Sequence, residues 1–157
     1  MQPYSKDPNM NLLDEGHVDN DSASIQVHLT IMQDVIQRMA ANSSSAKTWC
    51  VTLVSAVLVI VADKGKPQYA WIAMLPTIVF AALDMYYLAL EKGFRRSYNA
   101  FIDKLHANSL KTSDLYSVEL SGSFVRLLYE SIRSFSIWGF YVSMAILTVL
   151  TKQIAIG

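Results

Sequence analysis

The chain has 157 residues, 52% of them hydrophobic, and its 13 basic and 13 acidic side chains cancel to a formal net charge of zero. A mean hydropathy of +0.26 is high for a soluble domain of this size, and the absence of a large basic field excludes duplex nucleic acid as an obvious ligand. A lone cysteine, Cys50, excludes a disulfide framework and a cysteine-based metal site.

The two charge signs are segregated along the chain. Residues 1–47 hold three basic and six acidic side chains, whereas residues 91–135 hold seven basic and five acidic ones. Residues 1–21 carry two prolines and many acids but few large apolar side chains. That composition buries too little surface to offset the entropy of ordering, which predicts a mobile acidic tail. With no apolar leader-like run in the first twenty residues, insertion into a membrane is expected to rely on internal helices.

From residue 22 the pattern changes. Ile25, Leu29, Met32, Val35 or Ile36, and Met39 recur at helical spacing, with Gln26, Thr30, Gln33, Asp34, Gln37 and Arg38 between them. This predicts an amphipathic cytoplasmic helix over 22–46, capped by Asp21, Ser22 or Ser24. Only Arg38 flanks the stripe, so helix association suits it better than lying flat on anionic lipid. His28 beside the stripe reads as a packed histidine, with no second ligand one turn away.

Residues 47–90 read as a transmembrane helical hairpin. The uncharged run Thr48–Ala62 is short for a span, but Lys47 and Lys64 or Lys66 can reach out from its ends. Trp49 suits an interface anchor. A compact turn, DKGKPQ, leads into the second apolar run, 70–90, which contains one charge, Asp84, and one proline, Pro76. Pro76 is expected to kink this helix, its freed carbonyl being met by threonine side chains. Thr77, Asp84 and Glu91 are spaced by seven and so share one helix face. In a symmetric oligomer that stripe would line a pore with rings of oxygen ligands attractive to cations. The competing reading is that Asp84 is protonated, hydrogen-bonded to a neighbouring helix through Thr52 or a tyrosine hydroxyl, or hydrated near the cytoplasmic face.

Residues 91–133 read as a cytoplasmic helical segment. The apolar face continues through Phe94, Tyr98, Phe101, Ile102 and Leu105, so one long helix is expected to leave the membrane and end near Asn108. A polar loop follows, and Ser123 can cap a further helix beginning at Phe124. Residues 134–157 hold a third hydrophobic helix, long enough to span, with Gly139 and Ser143 offering a small face for close packing. The expected fold is therefore an all-α membrane protein: an amphipathic N-terminal helix, a transmembrane hairpin, a cytoplasmic helical extension and a third hydrophobic C-terminal helix. The basic side chains flanking the hairpin put its N-terminal side and residues 91–133 in the cytoplasm. Phosphate-loop, HExxH, CxxC and GxSxG motifs are all missing, so neither an enzyme nor a cofactor or metal site is expected.

The succession of VHLTIMQDVIQRMAANSSSAKTW, a membrane helix, the DKGKP turn, a second membrane helix and LEKGFRRSYNAFIDKLH resembles small two-helix transmembrane effectors of bacterial anti-phage defence operons. Those effectors are partnered with nucleotidyltransferases, and within the group the chain is most similar to the channel effector of Hailong-type systems. The resemblance covers roughly residues 25–106, and the third hydrophobic segment departs from the two-helix pattern. It implies a homo-oligomeric pore in the bacterial inner membrane, controlled by a nucleotide or single-stranded oligonucleotide made by the partner enzyme. Carried onto this sequence, it makes Arg95, Arg96, Lys104, Arg126 and Arg133 candidate phosphate contacts, with Tyr98 and Phe101 as candidate base-stacking residues. Positive-inside anchoring alone also accounts for Lys92, Arg95 and Arg96. The alternative function is a membrane-anchored scaffold or adaptor that passes no ions.

Overall fold

The computed structural model describes residues 22–156, and the acidic tail expected at 1–21 lies outside them. Four α-helices and two short 3-10 segments account for most of the described chain, and no strand occurs among the described residues. Helix α1 runs Ala23–Lys64, α2 Met74–His106, α3 Phe124–Ile132 and α4 Phe135–Ile156. Three of them, α1, α2 and α4, are long and apolar enough to cross a membrane.

The sequence divides 22–46 from 47–90 at the run Asn42–Ser45, but α1 passes straight through it. Serine and threonine break helices by offering the backbone competing hydrogen bonds. Here Ser43 donates to α2 instead, and just past the run Thr48 donates its hydroxyl to the Ser44 carbonyl (3.2 Å) and Thr52 to the Thr48 carbonyl (2.9 Å), within the helix. The helix stops at Gly65, whose φ of +57° is the left-handed conformation glycine adopts without penalty. Its amide and that of Lys66 close onto the carbonyls of Ala62 and Val61.

The 3-10 segment Pro67–Ala73 then turns the chain back, so α2 begins at Met74. Pro76 consequently stands in the first turn of α2 rather than in a helix interior, and the kink expected there is replaced by an ordinary helix start. An amide missing from a first turn costs no intrahelical bond.

Two apolar cores are stacked along the α1–α2 pair. One joins Cys50, Val54, Leu58 and Val61 of α1 to Ala70, Ala73 and, on α4, Ile137 and Tyr141. The other joins Ile25 and Met32 to Phe101, Leu110 and Leu115, and closes a cap formed by the outer halves of α1 and α2 and the loop after α2. Helix α4 returns alongside the first core: the Tyr141 hydroxyl donates to the Phe80 carbonyl (3.0 Å), and Lys152 at its far end lies 4.8 Å from the Trp71 ring. Helix α3 crosses α2 at Gly93. A Cβ there would stand 2.8 Å from Leu120 Cγ and 2.9 Å from Leu127 Cδ1, so any larger residue obliges these leucine side chains to shift.

Candidate functional site

Between the two cores lies a polar seam. Asp84 of α2 is 0% exposed. Ser43 of α1 donates its hydroxyl to Asp84 Oδ1, and Lys47 Nζ stands 2.6 Å from Oδ2. Ser43 and Lys47 are one turn apart and so share a face of α1, which lets Lys47 also donate to Ser43 Oγ at 3.3 Å. Both carboxylate oxygens are thus met by one neighbouring helix. The Lys47 side chain is 22% exposed, its stem buried and its head near solvent. A buried carboxylate is tolerable only when paired and hydrogen-bonded in this way.

This arrangement re-reads the Thr77–Asp84–Glu91 stripe. The three residues do share a face, and in the single chain that face turns inward. Thr77 is buried and donates to the Ala73 carbonyl (2.9 Å). Glu91 is mostly covered and accepts from Arg95 Nε (2.9 Å). The partners of Asp84 are Ser43 and Lys47 rather than Thr52, and the expected tyrosine is present as well: the Tyr141 hydroxyl of α4 faces the carboxylate. A signal for the pairing was present in the sequence: Lys47 and Asp84 lie almost equally far from Gly65, and in a helical hairpin residues equidistant from the turn face each other.

The seam also lies at the edge of the apolar segment rather than deep within it. Lys47 to Lys64 spans ~26 Å of helix, and Ser134 to Lys152 ~27 Å, at 1.5 Å per residue. Asp84 stands level with Lys47, at the cap end of the α1 segment, and on α4 it faces Tyr141, about 10 Å along the helix from Ser134.

The five basic candidates do not converge. Arg96 and Arg126 share Glu130, on its two carboxylate oxygens, while Lys92 donates to the Glu130 carbonyl (2.9 Å). Lys104 pairs with Asp114 at 2.8 Å, Arg95 with Glu91, and the Arg133 guanidinium lies 5.8 Å from the Tyr129 ring. Lys104 and Phe101 border a cavity in the cap, and Arg95 and Tyr98 line a separate open groove, a cavity of about 350 Å³ between α1 and α2 that Gln33, Ile36, Gln37 and Asn99 complete. Tyr98 accepts there from the Gln33 amide (3.2 Å). Phe101, the other stacking candidate, is 6% exposed and belongs to the cap core, its ring 4.5 Å from the His28 imidazole and at the edge of the cap cavity.

Comparison with protein-family models, curated proteins and solved structures finds no match.

A second cavity, of about 430 Å³, lies in the cap against His28, Lys104, Asp114 and several serines. His28 itself is buried, as its place beside the apolar stripe predicts, and its Nδ1 accepts the Tyr116 amide at 3.0 Å. Burial pushes the imidazole pKa down, opposed by the Asp114 carboxylate. Lys104 and the Lys111 amide in turn hold the Asp114 carboxyl below its ordinary range. The bond to His28 pins Tyr116 in a left-handed backbone conformation (φ +62°) that aromatic residues rarely adopt.

Proposed function

We propose that the chain is a subunit of a homo-oligomeric ion channel in the bacterial cytoplasmic membrane, a pore-forming effector of anti-phage defence. In this reading the cap faces the cytoplasm and receives a nucleotide or oligonucleotide made by a partner nucleotidyltransferase.

Membrane residence is supported by the surface. Between the Lys47 and Lys64 levels the exposed side chains are mostly aliphatic, among them Leu53, Val59, Ile60, Leu75, Ile78 and Val79, with Ile146 and Leu150 on α4. The hydroxyl residues Thr52, Ser55 and Ser143 are exposed among them, and Thr52 and Ser143 donate to carbonyls of their own helices. Exposed Trp49, Trp138 and Tyr86 ring one end of that belt, and exposed Tyr69 and Trp71 the other. Aromatic rings at both rims of an aliphatic belt are the signature of a bilayer-facing surface. The cap end carries Lys47, Lys92, Arg95, Arg96, Lys104, Lys111, Arg126 and Arg133, whereas the turn end carries Lys64, Lys66 and Lys152. The positive-inside rule then puts the cap in the cytoplasm.

The observation that carries a gated channel over a passive anchor is mechanical. Helices α1 and α2 pass without a break from the cap groove, through the Ser43–Lys47–Asp84 seam, into the belt. A ligand that changed the α1–α2 spacing at Gln33, Arg95 and Tyr98 would act directly on that seam. The groove offers a guanidinium for phosphate, a phenol for stacking and three amides for base edges. The defence role rests on the resemblance alone.

The anchor reading has one specific support: inside one chain Asp84 already has a hydrogen bond from Ser43 and an ion pair with Lys47, and needs no pore to be paired. The two readings separate in sealed liposomes containing the purified protein and a potassium gradient. A channel discharges the gradient, responds to added nucleotide, and loses that response in Arg95→Ala or Tyr98→Ala. An assembled oligomer that leaves the gradient intact under every nucleotide tried overturns the channel reading.

A further inference from the structure

Helix α3 has an apolar edge that nothing among the described residues covers. Leu127 and Ser131 are buried against α2, while Val125 (74% exposed), Tyr129 and Ile132 remain exposed. At 100° per residue Val125 and Ile132 fall within about 20° of each other, and Glu130 lies some 140–160° away. Glu130 is tied to Arg96, farther along α2 from the belt than the Gly93 crossing. The Val125–Ile132 edge therefore faces the opposite way, toward the belt. Phe124 reaches the same way, its ring 5.8 Å from that of Tyr86 at the belt rim. The chain then breaks at Arg133 and Ser134 and enters α4 with Phe135, 87% exposed.

We propose that α3 lies in the plane of the membrane, with Val125, Tyr129 and Ile132 seated at the boundary between headgroups and acyl chains. The occupant of this face is lipid rather than a protein partner. Across the break at Arg133 and Ser134 the apolar edge is followed by exposed Phe135 and the largely aliphatic surface of α4, and its flanks carry exposed Arg126 and Arg133, which suit headgroup phosphates. The inference rests on the membrane reading of the belt and extends it from three spanning helices to a fourth that lies flat. Its consequence is that the lipid surface bears on Glu130 and Gly93, where α3 clasps α2 just beyond the seam.

Site-directed spin labelling in a Cys50→Ala background, with the full chain in liposomes, tests this. Labels replace Val125, Ile132, Arg126, Ile78 in the belt and Asp103 in the cap, and accessibility to oxygen is compared with that to a water-soluble nickel chelate. The oxygen-to-nickel ratio is expected to be severalfold higher at 125 and 132 than at 126 and 103, approaching that at 78. A high ratio at 78 with 125 and 132 as water-accessible as 103 overturns the proposal and leaves the belt standing. A low ratio at 78 as well overturns the belt reading, and this inference with it. Shielding from both reagents at 125 and 132 means that protein covers the face, which also overturns it.

Discussion

Removing Lys47 is the most informative single perturbation. In Lys47→Ala the Asp84 carboxylate keeps the Ser43 hydroxyl and loses the only cation within ion-pair distance among the described residues. Breaking a buried pair from one side costs about 3–5 kcal/mol, because the surviving charge is left buried and unmatched. The Lys47 side chain is 22% exposed, so the pair is not sealed from solvent, and the lower end, about 3 kcal/mol, is expected. Asp84→Asn is milder, about 1–2 kcal/mol, since the amide retains a partner in Ser43 and the freed ammonium can turn toward the rim. In the double variant the penalties do not add, and a coupling energy of about 1.5–2 kcal/mol is expected for groups in direct contact. Reversible unfolding in mixed micelles, followed by tryptophan fluorescence, measures all four corners of the cycle. Additivity within about 0.5 kcal/mol would mean that the pair contributes nothing beyond its separate members, and the assignment of the seam as the α1–α2 clasp would fall.

Three further outcomes follow from the cap and the crossing. Gly93→Val is expected to destabilise by about 1–3 kcal/mol through overpacking against Leu120 and Leu127, read as faster hydrogen exchange in α3 with the belt unchanged. His28 has a folded pKa below its ordinary 6.5 because it is buried. The unfolded chain therefore binds the proton first: the cap is at full stability above about pH 6.5 and loses it as pH falls through 6.5 toward the lowered folded value. Exchange at the Tyr116 amide should accelerate over that window, and His28→Phe should flatten the dependence. Asp114→Asn removes the charge partner of Lys104 and should speed exchange in the loop at residues 109–118 while leaving α2–α3 protection intact.

Much of this architecture can be read from the chain, and the misses have identifiable physical causes. The three apolar runs, the helix start at Ser123–Phe124 and the continuation of α2 to His106 follow from periodicity and capping, which are local signals. The boundary drawn between 46 and 47 follows the change from an amphipathic to an apolar pattern, next to a serine run that locally disfavours helix. The helix survives because Ser43 is held by a residue 41 positions away, and no local window contains that bond. Asp84 likewise reads as an acid deep in a membrane helix when counted from the ends of its own hydrophobic run. Its true level is set by Lys47 on the other helix. Phe101 reads as a stacking platform because it neighbours basic residues, and it is core because His28, far off in sequence, covers it.

The position of the seam constrains how any pore could form. The oxygen stripe Thr77–Asp84–Glu91 now faces α1, so a pore lined by it requires α2 to turn about its axis or α1 to withdraw. Either movement parts Asp84 from Lys47, at a cost comparable to that of losing the pair. The charges lie at the rim of the belt, where Lys47 already reaches solvent, so water can enter as they part and lower the penalty. A clasp at the rim can therefore be released from the cap, whereas the same pair at mid-membrane would lock the hairpin permanently. If the protein conducts, weakening the clasp should raise spontaneous conductance: Lys47→Ala opens without ligand, and Asp84→Asn opens but discriminates less between cations and anions. If the hairpin is only an anchor, the same variants lose stability and pass no ions. The clasp variants thus divide the two readings even before any ligand is identified.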